Sequence, residues 1–205
     1  MVPCRLGESM TMRQPEVSTI GREEPQTLPS WNMVVTAKDH EQRHLARLVK
    51  RLGDFRWTPF LGLLVGRVED HEAFCEQLLR SEEERPGFLR PLARLIPIDR
   101  TFTFQVEHLP AQLERAVLAY ADRIDSGSFY VRIERRGHAG DIHSQPLEQQ
   151  LDRTLLAHLR EQGAAPLIDF KDPDAIVAVE LIGDECGVGL ITRTMRERFP
   201  FVKVP

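Results

Sequence analysis

The most constraining feature of the sequence is an alternation within Ser128–Arg136, where Phe129, Val131 and Ile133 occupy every second position, followed by a helical leucine repeat. Apolar side chains at every second position predict a strand that buries one face. Beyond it, leucine recurs every fourth residue from Leu147 to Leu159, which predicts a helix with one buried stripe. Ser144 is placed to cap that helix. A strand followed by an amphipathic helix indicates a sheet covered by helices.

Neighbouring patterns extend this unit over residues 99–205. Alternation at 101–107 predicts another strand, and Leu109-Pro110 begins a helix because proline is favoured in the first helical turn. Three more short strands are predicted, at 167–170, 176–182 and 187–192. We therefore expect an α/β domain at 99–205 that ends in a short basic C-terminal tail.

The first part of the chain has a different organisation. Its predicted elements are a strand at 32–37, a helix capped by Asp39, one broken strand or two within 56–68, a helix at 70–80 and a strand at 92–98. This β-α-β-β-α-β order is that of a ferredoxin-like unit, which we place at 31–98. Residues 1–30 lack apolar periodicity, so a disordered leader is predicted there. The expected fold class is α+β / α/β.

Several functional classes are disfavoured by what the sequence lacks. No run of about 18 apolar residues occurs, so no membrane-spanning segment is predicted. The three cysteines, Cys4, Cys75 and Cys186, are scattered, which is typical of a reducing cytoplasm. The chain has no dinucleotide fingerprint, P-loop, zinc-protease motif or nucleophile elbow. These absences predict a protein that is not an enzyme and that needs no cofactor or metal.

The distribution of charge allows local basic surfaces in an acidic chain. The formal net charge of -4 is unfavourable for a general nucleic-acid binder. Residues 38–67, however, carry seven Lys and Arg against three Asp and Glu, whereas 69–84 carry one Arg against seven acids. Because the charges are segregated along the chain, local fields can differ from the total.

Candidate RNA contacts are the basic and aromatic side chains of the ordered elements. Four cations share one face of the first helix, where a solvated surface explains them as well as phosphate binding does. On the strand at 128–136, an alternative for Arg132 is an ion pair with Glu180 on an adjacent strand. The complete set of predicted RNA-binding residues is Arg43, Arg47, Lys50, Arg51, Tyr130, Arg132, Arg135, Arg136, His138, Lys171, Arg193, Arg196 and Lys203.

The acidic segment from Asp169 to Asp174 has two interpretations. Three carboxylates within six residues could bind a cation. Pro173 instead fixes a turn, in which the flanking aspartates satisfy free backbone N–H groups. The second, structural interpretation is preferred.

Two of these segments resemble a known family. Residues 128–138, SFYVRIERRGH, look like the SFxVRxxRxG strand of THUMP domains. Residues 169–174, then Ile176 and Val179-Glu180, resemble that family's VDLxxPDxxIxVE stretch. The resemblance covers about residues 99–192, and the unit at 31–98 is similar to the ferredoxin-like domain that commonly precedes THUMP.

The resemblance implies an RNA-binding platform in which both units grip the acceptor end of tRNA. Most such proteins also carry a catalytic domain, whereas this chain ends at Pro205. It therefore resembles the stand-alone branch, typified by the adaptor that presents tRNA to a separate modification enzyme, a cytidine acetyltransferase. Two alternatives stay open: a protein–protein interaction module that docks through the acidic stretch at 69–84, and an unrecognised small hydrolase or transferase.

Overall fold

The computed structural model describes Met1 and residues 30–205, so nearly all of the predicted leader lies outside the described residues. The first sheet consists of β1 (Met33–Ala37), β2 (Asp54–Trp57), β3 (Leu63–Arg67) and β4 (Leu92–Pro97). Helix α1 (Gln42–Val49) follows β1, and α2 (His71–Glu84) follows β3. The strand order β2-β3-β1-β4 is antiparallel throughout, and the predicted β-α-β-β-α-β order is confirmed.

An aspartate caps α2, but the aspartate before α1 does not cap that helix. Asp70 caps α2, because its Oδ1 accepts a hydrogen bond from the Ala73 N–H at 2.6 Å. The cap predicted at Asp39 is wrong, since α1 begins two residues later than that cap would place it, after Glu41. The Glu41 side chain forms no cap either and instead contacts Arg90 and His44. The two strands within 56–68 are separate, with a turn between them.

The second sheet has the strand order β5-β9-β8-β6-β7, in which β6 runs parallel to β7 and β8. Its strands are β5 (Arg100–Thr103), β6 (Ser128–Arg136), β7 (Leu167–Ile168), β8 (Ala175–Ile182) and β9 (Glu185–Thr192). Its helices are α3 (Leu109–Leu118), α4 (Ala121–Ile124), α5 (Ser144–Glu161) and α6 (Arg193–Arg198). The mixed α and β fold class is therefore confirmed.

Four details of the second unit differ from the prediction, the simplest being that β7 ends at Ile168 rather than at 170. Strand β5 ends at Thr103 rather than at 107, and the residues that follow it turn into α3. Helix α5 begins at Ser144 after His143, without a side-chain cap, so the predicted Ser144 cap is wrong. The first part of the predicted basic tail is helical, as α6, and Thr192 caps it by accepting the Met195 N–H at 3.2 Å.

One face of the second sheet packs against α3, α4 and α5. The buried residues of β6 on this face are Phe129, Val131 and Ile133, as the alternation predicts. The leucines that recur along α5 are buried against them. None of the helices within residues 30–205 combines the length and the apolar character that a membrane span requires.

Helix α5 also protects the edge of β6. Strand β7 pairs with β6 only at Ser128 and Phe129, so the next outward N–H groups need other partners. Asp152 accepts the Val131 N–H at 2.7 Å, and Glu148 accepts the Ile133 N–H at 2.7 Å. Two carboxylates of one helix thus close the open edge of this strand.

Burial raises the pKa of Asp152 to about 6, while the hydrogen bond from Val131 lowers it and the nearby Glu148 raises it. Because the pKa of Asp152 is higher in the folded than in the unfolded state, folding favours the protonated, neutral form of this side chain. This contribution to stability is complete below the unfolded pKa of about 3.8 and is lost as pH rises through about 6.

We expect Asp152→Asn to remove this pH dependence, because the amide oxygen can still accept the Val131 N–H but cannot ionise. Relative to this variant, the wild type should lose up to about 3 kcal/mol of unfolding free energy between pH 4 and pH 7. Urea denaturation of both proteins across this range measures the difference. A constant difference between the two proteins would contradict the prediction.

The other face of the second sheet packs against the first unit. Ile176, Ala178, Ile182 and Ile191 belong to the same buried cluster as the core of the first sheet. On β9, a Cβ at Gly187 would lie 2.4 Å from the Trp31 ring, so glycine is needed for this close approach.

Residues after α6 return to the first sheet. The Leu95 N–H of β4 donates to the Phe201 carbonyl at 2.9 Å, and Leu95 also forms a parallel bridge with Val202. Phe199, Phe201 and Val202 are buried in the core of the first unit. We therefore propose the division at residues 98 and 99 as a boundary between two sheets, with the C-terminal segment serving both.

Candidate nucleic-acid interface

The four cations predicted on the first helix lie on its exposed side. Leu45, Leu48 and Val49 are buried, whereas the cations of the opposite side are exposed; these are Arg43, Arg47, Lys50 and Arg51. Lys50 and Arg51 follow the last helical residue directly. Within the described part of the chain, none of the four has a carboxylate within ion-pair distance. The four positive charges are therefore available to an external anion.

Helix α1 forms one wall of a groove with a cavity volume of about 480 Å³. The opposite wall is the α2–β4 connection (residues 85–91), which returns past α1 before β4 begins. We call this cavity the basic groove. The side chains that line it include Arg47 and Arg51 from the α1 side and Arg85, Phe88 and Arg90 from the connection.

Positive charge dominates the basic groove. Four guanidinium groups face one carboxylate, that of Glu41. Contacts with His44, at 2.6 Å, and with Arg90, at 2.7 Å, lower the pKa of Glu41, so this carboxylate stays ionised at neutral pH. Arg85 instead lies over the Phe88 ring, 4.7 Å from its centre. Excess positive charge thus surrounds an aromatic ring.

The sequence analysis missed the second wall of the groove, because it predicts no element between the helix at 70–80 and the strand at 92–98. In the structure, Glu82 holds this segment by accepting the N–H groups of Gly87, at 2.9 Å, and Leu89, at 2.6 Å. Gly87 has a φ of 91°, a conformation that favours glycine. The signal in the sequence was an aromatic residue and arginines around a Pro-Gly turn.

The cations of strand β6 have intramolecular partners. Arg136 Nη1 lies 2.5 Å from Glu180, whose side chain is only 3% exposed. The predicted alternative for Arg132 is wrong in its partner, because Arg132 lies 3.8 Å from Glu148 of α5. Glu180 pairs with Glu134 across the sheet, so it lies diagonally from both Arg132 and Arg136. Arg132 instead contacts a carboxylate of α5. The placement of Arg136 does not favour a role in RNA binding.

Residues at the C-terminal end of β6 and just beyond it are also engaged. Arg135 Nη1 donates to the carbonyl of Gly137, and His138 Nε2 lies 2.9 Å from Asp184 Oδ1. His138 has a positive φ of 49°, so the chain turns sharply here. The contact between His138 and Asp184 holds the segment after β6 against the turn between β8 and β9.

Two of the three arginines of α6 fasten this helix to the turn at 169–174, whereas Arg198 pairs with Glu72 and Glu76 of α2. Arg193 pairs with Asp172 and with Asp174, the latter at 3.1 Å, and Arg196 donates to the carbonyl of Pro173. Asp174 also accepts the N–H of Ser128 at 2.8 Å. The structural interpretation of this turn is confirmed for Asp169 and Asp174, which accept backbone N–H groups, whereas the Asp172 carboxylate contacts Arg193 instead.

Three further predicted residues lie elsewhere on the surface. Lys171 and Lys203 are exposed, and Tyr130 is half-buried with its ring centre 5.5 Å from that of Phe170. The structure therefore brings Arg47 and Arg51 together with a connection that the sequence analysis did not single out. The arginines of β6 and α6, in contrast, contact other residues of this chain.

No family model matches this sequence, and no curated protein is significantly similar to it. Solved structures do match. TrmN from Thermus thermophilus is 22% identical over 77% of this chain and 44% of that chain, with a TM-score of 0.55. PH1313 from Pyrococcus horikoshii Ot3 is 13% identical over 78% and 54%, with a TM-score of 0.51. A 4-thiouridine synthetase in complex with RNA and ATP is 10% identical over 79% and 41%, with a TM-score of 0.50.

These similarities concern the fold. The chain spans about half the length of the solved structures that it matches, at identities of 22% and below. They show that this mixed arrangement of sheets and helices also occurs in the matched structures.

One prediction from the sequence is contradicted by these matches. The absence of familiar catalytic motifs predicts a chain that is not an enzyme, yet one of the matched structures is that of a synthetase with bound ATP. A fold that forms part of a synthetase is not diagnostic of a non-catalytic protein. The absence of these motifs is therefore not evidence that the protein lacks catalytic activity.

Proposed function

We propose that this protein binds RNA through the basic groove. The observation that carries the proposal is the set of four guanidinium groups, opposed by one carboxylate, around the Phe88 ring. A guanidinium group can donate two parallel hydrogen bonds to phosphate oxygens, and an aromatic ring can stack on a base. The fold supports the same function, since a structure that shares it is a complex with RNA.

The finer part of the proposal concerns the RNA and its use. We propose that the RNA is tRNA, held near its acceptor end, and that the protein presents it in the cytoplasm to a tRNA-modifying enzyme in trans. The family resemblance suggests a cytidine acetyltransferase as this enzyme. Phosphate contacts would position the tRNA without reading its sequence. Cross-linking in cells, followed by identification of the bound RNA and protein, would reveal both partners.

We expect the double variant Arg47→Glu/Arg51→Glu to bind total tRNA at least about tenfold more weakly at low salt, since two phosphate contacts become two repulsive charges. The plot of log affinity against log salt concentration should lose about two units of slope. Fluorescence anisotropy with labelled tRNA across a salt series measures both quantities.

A matched control is Arg153→Glu/Arg160→Glu on α5. Both arginines are exposed, and within residues 30–205 neither has an ion-pair partner, so net charge changes equally but the basic groove is untouched. This control should keep most of the affinity. Equal losses in both double variants would contradict the groove as the binding site. Absence of tRNA binding by the wild type at low salt would reject the RNA-binding function itself.

A further inference from the structure

The turn at 169–174 presents an aromatic side chain to solvent. Phe170 is 67% exposed, and its ring centre lies 5.5 Å from that of Tyr130, with an angle of 49° between the ring planes. Tyr130 itself is half-buried on β6 and packs against the core of the first unit. We call these two rings the aromatic platform. An exposed ring beside a fixed one is not explained by packing of the core.

The backbone around Phe170 is held on both sides. Before it, the Asp169 N–H donates to the Phe129 carbonyl at 3.1 Å; after it, the Asp174 N–H donates to the Ser128 carbonyl at 2.9 Å. Asp169 Oδ1 closes the turn between these points by accepting the Lys171 N–H at 2.8 Å. The exposure of Phe170 is therefore built into an ordered turn that is tied to β6.

The carboxylates near the platform are already engaged. Asp172 and Asp174 pair with Arg193, and Asp169 accepts two backbone N–H groups. Lys171, next to Phe170, is exposed and has no ion-pair partner in the described part of the chain. Three cations of the turn and of α6, namely Lys171, Arg193 and Arg196, balance the three aspartates, so the region around the rings is close to neutral.

The Tyr130 side of the platform lies among charges of both signs. Burial raises the pKa of the Tyr130 hydroxyl, the positive charges of Arg132 and Arg196 lower it, and the negative charges of Glu148 and Asp152 raise it. Arg132 lies 3.8 Å from Glu148. This side of the rings therefore has two cations and two carboxylates nearby, with no excess of either charge.

We propose that the aromatic platform stacks an unpaired nucleobase of RNA on Phe170, with Lys171 beside the adjoining phosphate. The proposal rests on the RNA-binding function proposed above, and it adds a second contact that is separate from the basic groove. Base stacking on an aromatic ring needs no net positive charge, which suits a neutral region, and it requires an unpaired base. The basic groove would hold phosphates, and the platform would select RNA that has a single-stranded segment.

The test compares two RNA hairpins that share one duplex. One is blunt, and the other carries a single-stranded extension of four nucleotides that contains 2-aminopurine. The ratio of the two dissociation constants measures the gain in affinity from unpaired bases. For the wild type, we expect a gain of at least about fivefold, with quenching of the 2-aminopurine fluorescence.

Phe170→Ala should abolish this gain and the quenching while leaving the affinity for the blunt hairpin unchanged. Phe170→Tyr keeps an aromatic ring and should retain both. Leu167→Ala is the matched control, because Leu167 is 65% exposed on the neighbouring strand β7 but has no aromatic ring. Its gain should equal that of the wild type.

The outcomes separate this proposal from the proposed function. Wild-type binding of the blunt hairpin without any gain from the extension would overturn the platform and leave the groove in place. A gain that survives in Phe170→Ala would also overturn it. Equal losses in Phe170→Ala and Leu167→Ala would indicate a general apolar contact, suited to a protein partner, and would overturn base stacking. Failure to bind either hairpin would reject both proposals.

Discussion

Replacing Gly189 with alanine should reduce the unfolding free energy by at least about 3 kcal/mol, because the added methyl group would enter the backbone of the first unit. A Cβ at Gly189 would lie 2.1 Å from the Pro97 carbonyl oxygen and 3.1 Å from the Ile98 Cα. Neither atom belongs to a flexible side chain, so β9 would have to move away from β4. The two sheets pack at this point, and their shared core would open.

Urea denaturation, followed by circular dichroism, measures this loss. Gly140→Ala is a suitable control, because a Cβ there would meet no atom within 4 Å and only its positive φ of 96° carries a cost. That cost is about 1–2 kcal/mol. A Gly189→Ala variant that loses no more stability than Gly140→Ala would contradict the close approach of the two strands.

Much of the fold could be predicted from the sequence, because burial of one face imposes a periodicity on the residues. Strand β6 has the bounds Ser128–Arg136 that its alternation indicates, and the six elements of the first unit occur in the predicted order. Helix caps were less predictable. Asp39 and Ser144 are favourable residue types for capping, but each helix begins where the tertiary structure places it, and neither side chain caps it.

Contacts between distant segments left weaker signals. The glycines of β9 predict that another segment packs closely against this strand. Only the folded structure identifies Trp31 and Pro97 as the residues that do so. In the sequence, residues 199–202 look like part of a basic tail. They are buried in the core of the first unit because the chain returns to that unit after α6. Sequence periodicity describes one element at a time, so it does not identify these partners.

The candidate site, like the fold, could be predicted only in part from the sequence. The cations of α1 could be predicted because a helix that buries its leucines exposes the opposite side. The contribution of Arg85, Phe88 and Arg90 could not, since the α2–β4 connection meets α1 only in the folded protein. For β6, the sequence indicated charged outward residues without determining which carboxylate each arginine would contact.

Arg136→Met is expected to lower the unfolding free energy by up to about 3–5 kcal/mol at pH values above 7, where the buried Glu180 carboxylate would ionise without its guanidinium partner. Glu180 is 2% exposed, and Arg136 contacts it at 2.5 Å. Arg136 also lies 3.5 Å from Glu134, which in turn is 3.5 Å from Arg94 of β4. The pair thus belongs to a network that joins the two sheets.

The loss should depend on pH in a defined direction. Burial raises the pKa of Glu180, and Arg136 opposes this increase, so the pKa rises further when Arg136 is replaced. An acid with a raised pKa contributes stability that is complete below its unfolded pKa and is lost as pH rises through its folded pKa. The deficit of Arg136→Met should therefore shrink as pH falls from 8 to 5.

Two variants complete the test of this network. Arg136→Met/Glu180→Gln should recover most of the lost stability and remove its pH dependence, because no buried charge remains. Arg135→Met, which loses only a bond to the Gly137 carbonyl, should cost about 1 kcal/mol. If Arg136→Met is instead as stable as the wild type at every pH but binds tRNA more weakly, the network does not stabilise the fold. Arg136 would then belong to the RNA-binding surface, as the sequence alone predicts.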